Sequence, residues 1–277
     1  MRERIGQAVA DGRMGERLWL YATYHCNLAC AYCLTESSPV IRNRRALSRE
    51  VMVRAAREAK ELGFGSVGIT GGETFMLPYF AETFIEIARI LPVVALTNGT
   101  LFTDHLLHRL ESAAELPAAL QISLDSDVPS RNDKYRGPNN FARVMEAIPK
   151  LVERGIEVRV ATTVEYQSEE ELERVCELHR SLGIPDERHV VRSVVRRGRA
   201  AVEGMGVELG PNDVLPELTL TADGAFLHPF APTVRHGVTD LDLLVSRQVA
   251  PLAEPVRRFL RVVADLPAGA DVVRNIR

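Results

Sequence analysis

Lysine is nearly missing from this 277-residue chain. Of 34 basic residues only Lys60, Lys134 and Lys150 are lysines, and the rest are arginines. The skew reads as coding bias rather than as a set of bidentate anion sites. An excess of one charge is missing too, since 37 acidic residues leave a formal net charge of −3. Composition therefore gives no electrostatic case for nucleic acid or an anionic membrane as partner. No apolar run of about 18 residues occurs, so no transmembrane helix is expected. The N-terminal segment lacks the apolar core of a signal peptide, and a cytoplasmic location is the expectation. Cysteine is scarce: there are four, of which Cys26, Cys30 and Cys33 fall within eight positions. That crowding in a reducing compartment excludes a disulfide framework and reads as a metal site. The fourth, Cys176, shares an apolar helical stripe with Leu172, Val175 and Leu182 and reads as a small buried hydrophobe.

What is present is a β/α alternation. Apolar, β-branched runs at Arg17–Tyr24, Ser66–Thr70, Pro92–Thr97, Ala119–Asp125, Ile156–Val164 and Arg188–Val195 show little strict alternation. That pattern suits parallel strands covered on both faces. Helical periodicity lies between them, over Leu47–Leu62, Leu77–Leu91, Thr103–Ala114, Asn140–Arg154 and Ser168–Leu182. Ser48 is a plausible N-cap with Gly63 as stop, and Ser168 opens a capping box. Pro149 inside the fourth helix predicts a kink. Six such units imply an α/β fold with a parallel sheet, as an open partial barrel or a doubly wound sheet. Either fold gathers ligands at the carboxyl ends of the strands.

Near residue 200 the pattern changes. Gly198, Gly204, Gly206, Gly210 and Pro211 mark a joint. Leu218–Thr221 and Ala225–His228 read as a β-hairpin turning through Ala222-Asp223-Gly224 around Asp-Gly, and Leu241–Val273 as a helical tail broken by Pro251, Pro255 and Pro267. The expected units are an N-terminal segment 1–16, a core 17–200 and an extension 201–277.

The segment Cys26-Asn-Leu-Ala-Cys30-Ala-Tyr-Cys33 directly follows the first strand. Soft thiolates suit an iron–sulfur cluster or zinc. A structural zinc site would need a fourth ligand, and His25 is poorly placed to share a metal with the adjacent Cys26. Further motifs follow in order at successive strand ends. These are Thr70-Gly71-Gly72-Glu73, Thr97-Asn98-Gly99, Ser123-Leu124-Asp125-Ser126, and Asn132-Asp133-Lys134-Tyr135-Arg136-Gly137. Read singly, they are turn and capping chemistry.

Cys-x-x-x-Cys-x-x-Cys with Tyr32 before the last cysteine, followed by these segments, resembles the signature of the radical S-adenosylmethionine (SAM) superfamily over about residues 17–200. The resemblance implies a partial (β/α)6 TIM-type barrel. It implies one 4Fe–4S cluster on Cys26, Cys30 and Cys33 whose open iron binds SAM. It further implies reductive cleavage of SAM to a 5′-deoxyadenosyl radical that abstracts hydrogen from a substrate. Tyr32 would lie near the adenine. Gly71, Gly72 and Glu73 would receive the SAM ammonium; Asn98, Ser123 and Asp125 would help line the site. Arg136 would pair with the SAM carboxylate, or structurally with Asp133. An external flavodoxin- or ferredoxin-like protein would donate the electron.

The extension, a small hairpin-plus-helix unit, is similar to the SPASM or twitch modules that follow many such barrels, and would cap the barrel. No cysteine follows Cys176, and His228-Pro229-Phe230 stands where such modules often show Pro-Cys, so no auxiliary cluster is expected. The expected substrate is a small metabolite or natural-product intermediate undergoing epimerisation, dehydrogenation or rearrangement. Modification of a ribosomal peptide is the alternative enzymatic reading. A non-catalytic iron–sulfur or zinc sensor is the alternative of another class. The basic run Arg192–Arg199 reads as a solvated face before an anionic-substrate contact, Tyr24 as core, and His228 and His236 as surface histidines before lid residues.

Overall fold

The computed structural model of the chain describes residues 1–42, 45–165 and 167–266. Six parallel strands lie in chain order: β1 (Arg17–Tyr21), β2 (Ser66–Thr70), β3 (Val93–Thr97), β4 (Ala118–Ser123), β5 (Glu157–Val164) and β6 (His189–Ser193). Register brings their carboxyl ends level: Tyr21 faces Thr70, Thr97 faces Ile122, Ser123 faces Ala161 and Thr163 faces Arg192. The loops that leave those ends therefore share one rim, which is where this kind of sheet gathers its chemistry.

After α1 (Arg2–Ala10), the crossovers are α2 (Arg49–Leu62), α3 (Phe80–Ala88), α4 (Asp104–Leu110), α5 (Pro129–Arg136) with α6 (Asn140–Glu153), and α7 (Glu169–Ser181). Ser48 caps α2 by accepting from Val51 N, and Gly63 closes it at φ 96°. Both halves of the Ser168–Glu171 capping box form on α7. α6 runs unbroken through Pro149, whose predicted kink does not divide the helix. The predicted helix after Thr103 shortens to α4 and continues as a 3-10 turn over Glu111–Glu115. α5 has no counterpart in the periodicity, because RNDKYR carries no apolar stripe; Pro129 at its first position starts it instead.

One continuous core joins sheet and helices. Leu18, Leu20, Val67, Ile69, Leu120 and Val158 from the strands meet Met52, Phe84, Ile148 and Phe259 from the helices. Each such side chain gains roughly 1.5–3 kcal/mol by leaving water.

The residues after β6 extend the same sheet. After the short α8 (Arg199–Val202), β7 (Thr219–Thr221) pairs parallel with β1. β8 (Gly224–Phe226) returns antiparallel beside β7, and β11 (Leu244–Ser246) pairs with β8. A separate two-stranded ribbon, β9 (Val234–Arg235) and β10 (Val238–Thr239), lies between them in sequence. α9 (Ala253–Asp265) covers the core through Val256, Phe259 and Leu260. The tail is thus not helical from Leu241: its first apolar residues complete the sheet edge left open by β8. Pro255 falls in the first turn of α9, where it does no harm; Pro267 and Val273 lie outside the described residues. The predicted turn Ala222-Asp223-Gly224 tightens to Ala222-Asp223, with Gly224 already in the strand opposite Thr221. A Cβ on Gly224 would stand 2.5 Å from the Ser246 carbonyl, so the third strand sets the glycine's place.

Candidate active site

The cysteine loop begins where β1 stops. The strand ends at Tyr21, three residues sooner than predicted, because Ala22 and Tyr24 turn to pair with Leu47 and Arg45. Two glycines let the next loop press against it. A Cβ on Gly72 would lie 2.1 Å from the His25 carbonyl, and one on Gly71, at φ 148°, 2.5 Å from that of Thr23. In their place run backbone hydrogen bonds, Gly72 N to Thr23 O (2.6 Å) and Glu73 N to His25 O (2.9 Å).

The far side of the loop is pinned by a segment read from sequence as solvated. Arg199 N donates to the Cys33 carbonyl (2.9 Å), and its guanidinium to the carbonyls of Cys30 and Ser37. Gly198, at φ 57°, packs so closely that a Cβ would sit 2.1 Å from the Leu34 carbonyl. Arg197 reaches across to Thr233 and Asp242. Arg196, Arg197 and Arg199 are therefore separate struts rather than one charged face, because each meets different partners.

All three cysteines carry free thiols and line one cavity at the strand ends. Leu28 N donates to Cys26 Sγ (3.3 Å), and Asn98 Nδ2 lies 3.7 Å from the same sulfur. Burial pushes the Cys26 thiol up to about 12, with Glu73 and the other two thiols adding to it. Burial likewise pushes Cys30 up to about 11, against the opposing charge of Arg136. Cys26 and Cys30, crowded in a poorly solvated loop, hold their protons unless a cation compensates them. Binding a metal there would release protons, as thiolate sites do. The donor set fits an iron–sulfur cluster with one iron left open.

The remaining predicted residues divide into two kinds. Tyr32, Gly71, Gly72, Asn98, Ser123 and Arg136 line the cavity with the cysteines. Glu73 and Asp125 stand behind it as buried hubs. Glu73 Oε1 accepts from Phe75 N (3.1 Å) and Thr97 Oγ1 (2.8 Å), and Oε2 from Asn98 N (2.8 Å). Burial pushes its carboxyl up and these bonds oppose that. One of its roughly four acceptor positions is left over. Asp125 Oδ2 accepts from Arg136 Nε (2.7 Å) and the Tyr32 hydroxyl, and Oδ1 from Thr163 N (2.9 Å). Arg136 thus pairs with Asp125, not with Asp133. The latter caps the next helix at Phe141 N (2.8 Å), which turns it away from the guanidinium.

Sequence reasoning put the opposite wall second, reading Arg192 within a solvated face before a substrate contact. Thr163, Arg192 and Ser193 face the cavity from β5 and β6, and Pro229 and Phe230 from the extension. Thr163 Oγ1 and Arg192 Nη1 are buried without a hydrogen-bond partner. Burial pushes the Arg192 guanidinium down, with Arg136 adding to it. His228 is buried rather than superficial: its Nδ1 accepts from Phe230 N, and the two rings lie 4.7 Å apart. His236 is exposed, and Tyr24 is core, stacked on Tyr21. Cys176 is not sealed in apolar packing; it is half-buried and faces His189. The strand periodicity that placed Arg192 on β6 could have aimed it inward, two residues from Val190 and Val194.

Known proteins match this arrangement. The model of the family described as "Radical SAM superfamily" matches residues 20–179. The antilisterial bacteriocin subtilosin biosynthesis protein AlbA of Bacillus subtilis is 34% identical over 163 residues, 58% of this chain and 36% of that protein. A GTP 3′,8-cyclase of Syntrophomonas wolfei is 35% identical over 139 residues, 47% of this chain and 40% of its own. The chain thus spans well under half the length of these relatives. Among solved structures, native anSMEcpe with bound AdoMet superposes with a TM-score of 0.65 at 16% identity, covering 90% of this chain and 84% of that one. Streptococcus suis SuiB bound to SAM gives 0.57 at 20% identity, covering 70% and 44%. These likenesses agree with the open parallel sheet as a partial TIM-type barrel. With the matched model covering more than half of its residues, the chain belongs to the radical SAM superfamily, whose members use a 4Fe–4S cluster and SAM.

Proposed function

We propose that the chain is an enzyme that cleaves SAM reductively and uses the resulting radical to take hydrogen from a substrate. Cys26, Cys30 and Cys33 would hold the 4Fe–4S cluster. Gly71, Gly72, Asn98, Ser123 and Arg136 would bound the SAM site beside it, with Tyr32 at the adenine. Glu73 offers its remaining acceptor position to the ammonium, and Asp125 fixes Arg136 and Tyr32 from behind. Bound together, cluster and SAM supply a carbon-centred radical, given one electron from a flavodoxin- or ferredoxin-like donor. The protein's part is to hold the two groups in register and keep water and stray hydrogen donors away. The observation that carries this reading is the convergence of three free thiols, the Gly-Gly turn and Arg136 on one cavity.

The substrate would enter against β5, β6 and Phe230. Arg192 gives that wall a half-buried cation with a buried Nη1, which favours a small substrate bearing a carboxylate or phosphate. A second reading, radical modification of a peptide, is supported by a relative named for bacteriocin biosynthesis and by neighbours solved with peptides. Residues 201–277 would act as the unit that closes the substrate side.

The test is anaerobic reconstitution with iron and sulfide, reduction, addition of SAM, and mass spectrometry. 5′-Deoxyadenosine and methionine are expected, and Cys26→Ala should abolish both. A protein with about four irons that neither binds nor cleaves SAM would overturn the proposal in favour of a non-catalytic iron–sulfur protein.

A further inference from the structure

Behind the cavity, on the other face of the sheet, a second group of ligand-type side chains comes together. Thr163 faces the cavity, so its neighbour Thr162 faces the opposite side of β5. There α7 presents Cys176 and His179, three residues apart and hence on one helix face. His189 opens β6 beside them. Cys176 Sγ lies 3.4 Å from His189 Nδ1, and the two imidazole rings are 4.6 Å apart at 60°. One donor atom from each of the three residues lies within 4.8 Å of the other two.

The neighbours fix which nitrogen of each ring carries the proton. His179 Nδ1 is 2.8 Å from the Ile184 carbonyl, which can only accept. Nδ1 therefore holds the hydrogen and Nε2 the lone pair. The Thr162 hydroxyl donates its one hydrogen to the Leu124 carbonyl (2.8 Å), so it accepts from His189 Nε2 (2.7 Å). The His189 lone pair is then on Nδ1, toward the sulfur. His179 is fully buried, yet its Nε2 has no hydrogen-bond partner. Asp186 Oδ1 stands 3.8 Å from it, in a carboxylate that also accepts from Arg180 Nε (2.7 Å) and Nη2 (2.9 Å). The His189 lone pair thus meets the thiol, and the His179 lone pair is buried beside them with no hydrogen to accept.

We propose that Cys176, His179 and His189, with Asp186 in the fourth position, bind one zinc ion that ties α7 to β6 behind the active site. Two nitrogens, one sulfur and one oxygen suit tetrahedral zinc. Each imidazole already has its distal N–H held by a carbonyl or hydroxyl, as metal-bound histidines do. On binding, the thiol loses its proton to solvent and the thiolate–metal bond forms. The site shares no residue with the cluster loop.

Cobalt(II) is the probe. In the full chain carrying Cys26→Ala, Cys30→Ala and Cys33→Ala, Cys176 is the last thiol, so any thiolate-to-cobalt charge-transfer band belongs to it. One equivalent of cobalt should produce that band. Zinc should displace the cobalt, and adding Cys176→Ala or His189→Ala should remove the band. A folded chain, judged by circular dichroism, that shows no band overturns the proposal, as does a band that survives His189→Ala. The second measurement does not depend on the triple variant. Cluster-loaded wild type and Cys176→Ala are dialysed against zinc and analysed for metal, with one zinc per chain expected in the first and none in the second. Equal zinc in both overturns the proposal.

Discussion

The two walls of the cavity are built on different terms. On the β1–β4 side the two buried carboxylates at the cavity are satisfied, although Gln121 deeper on β4 has an unpaired amide: Glu73 takes three donors, and Asp125 takes Arg136, Tyr32 and Thr163 N. On the β5–β6 side Thr163 Oγ1 and Arg192 Nη1 are buried with nothing to bond. A satisfied network is rigid and holds its geometry without a ligand. An unsatisfied one costs stability until a ligand arrives. The first wall therefore behaves as a preformed cofactor frame, the second as a surface completed by substrate.

The largest effect should come from the first wall. Asp125→Ala strands Arg136, which is only 5% exposed, together with the Tyr32 hydroxyl and Thr163 N. Removing one partner of a buried pair typically costs about 3–5 kcal/mol. Urea unfolding of the cluster-free protein should show a loss of that size. The same measurement on Arg192→Met should show no loss, or a gain of about 1 kcal/mol, because a desolvated cation disappears and no partner is stranded. Equal losses in the two variants would break the comparison and make Arg192 a structural residue.

The same contrast decides what was legible in the sequence. Cys26, Cys30, Cys33, Gly71, Gly72 and Glu73 announce themselves because chemistry and close backbone approach restrict those positions to particular residue types. The β/α alternation is visible because each strand is apolar on both faces. Asp125 was legible as a site residue, but not its partner, since Asp133 is nearer to Arg136 in sequence and only the fold brings Asp125 alongside. Arg192, Arg197 and Arg199 were illegible as individuals: a basic run looks the same whether its members are solvated, held by separate partners, or, like Arg192, turned into a cavity with an unbonded nitrogen. β11 was lost inside an apparently helical tail, because three residues are too few to show a period. Its identity depends on the open edge of β8, which is a tertiary fact.

The smallest effect gives the sharpest comparison, since it uses one chemical change on both walls. Thr97 and Thr163 end neighbouring parts of the rim and are similarly buried. Thr97 Oγ1 donates to Glu73 (2.8 Å) and accepts from Gly99 N (3.2 Å), whereas Thr163 Oγ1 does neither. Valine keeps the shape and removes the hydroxyl. Thr97→Val should lose about 1.5–3 kcal/mol, the usual contribution of a hydrogen bond to a charged group. Thr163→Val should be neutral or gain up to about 1 kcal/mol, because its backbone bond to Asp125 stays and an unpartnered hydroxyl goes. SAM should alter the outcome little, since neither hydroxyl is assigned to it. A substrate that recruits Thr163 should stabilise wild type more than Thr163→Val, and the shift in unfolding midpoint would then report substrate binding before any reaction is known. If Thr163→Val is as damaging as Thr97→Val without ligand, the second wall is as fully bonded as the first, and the division between frame and receptor fails.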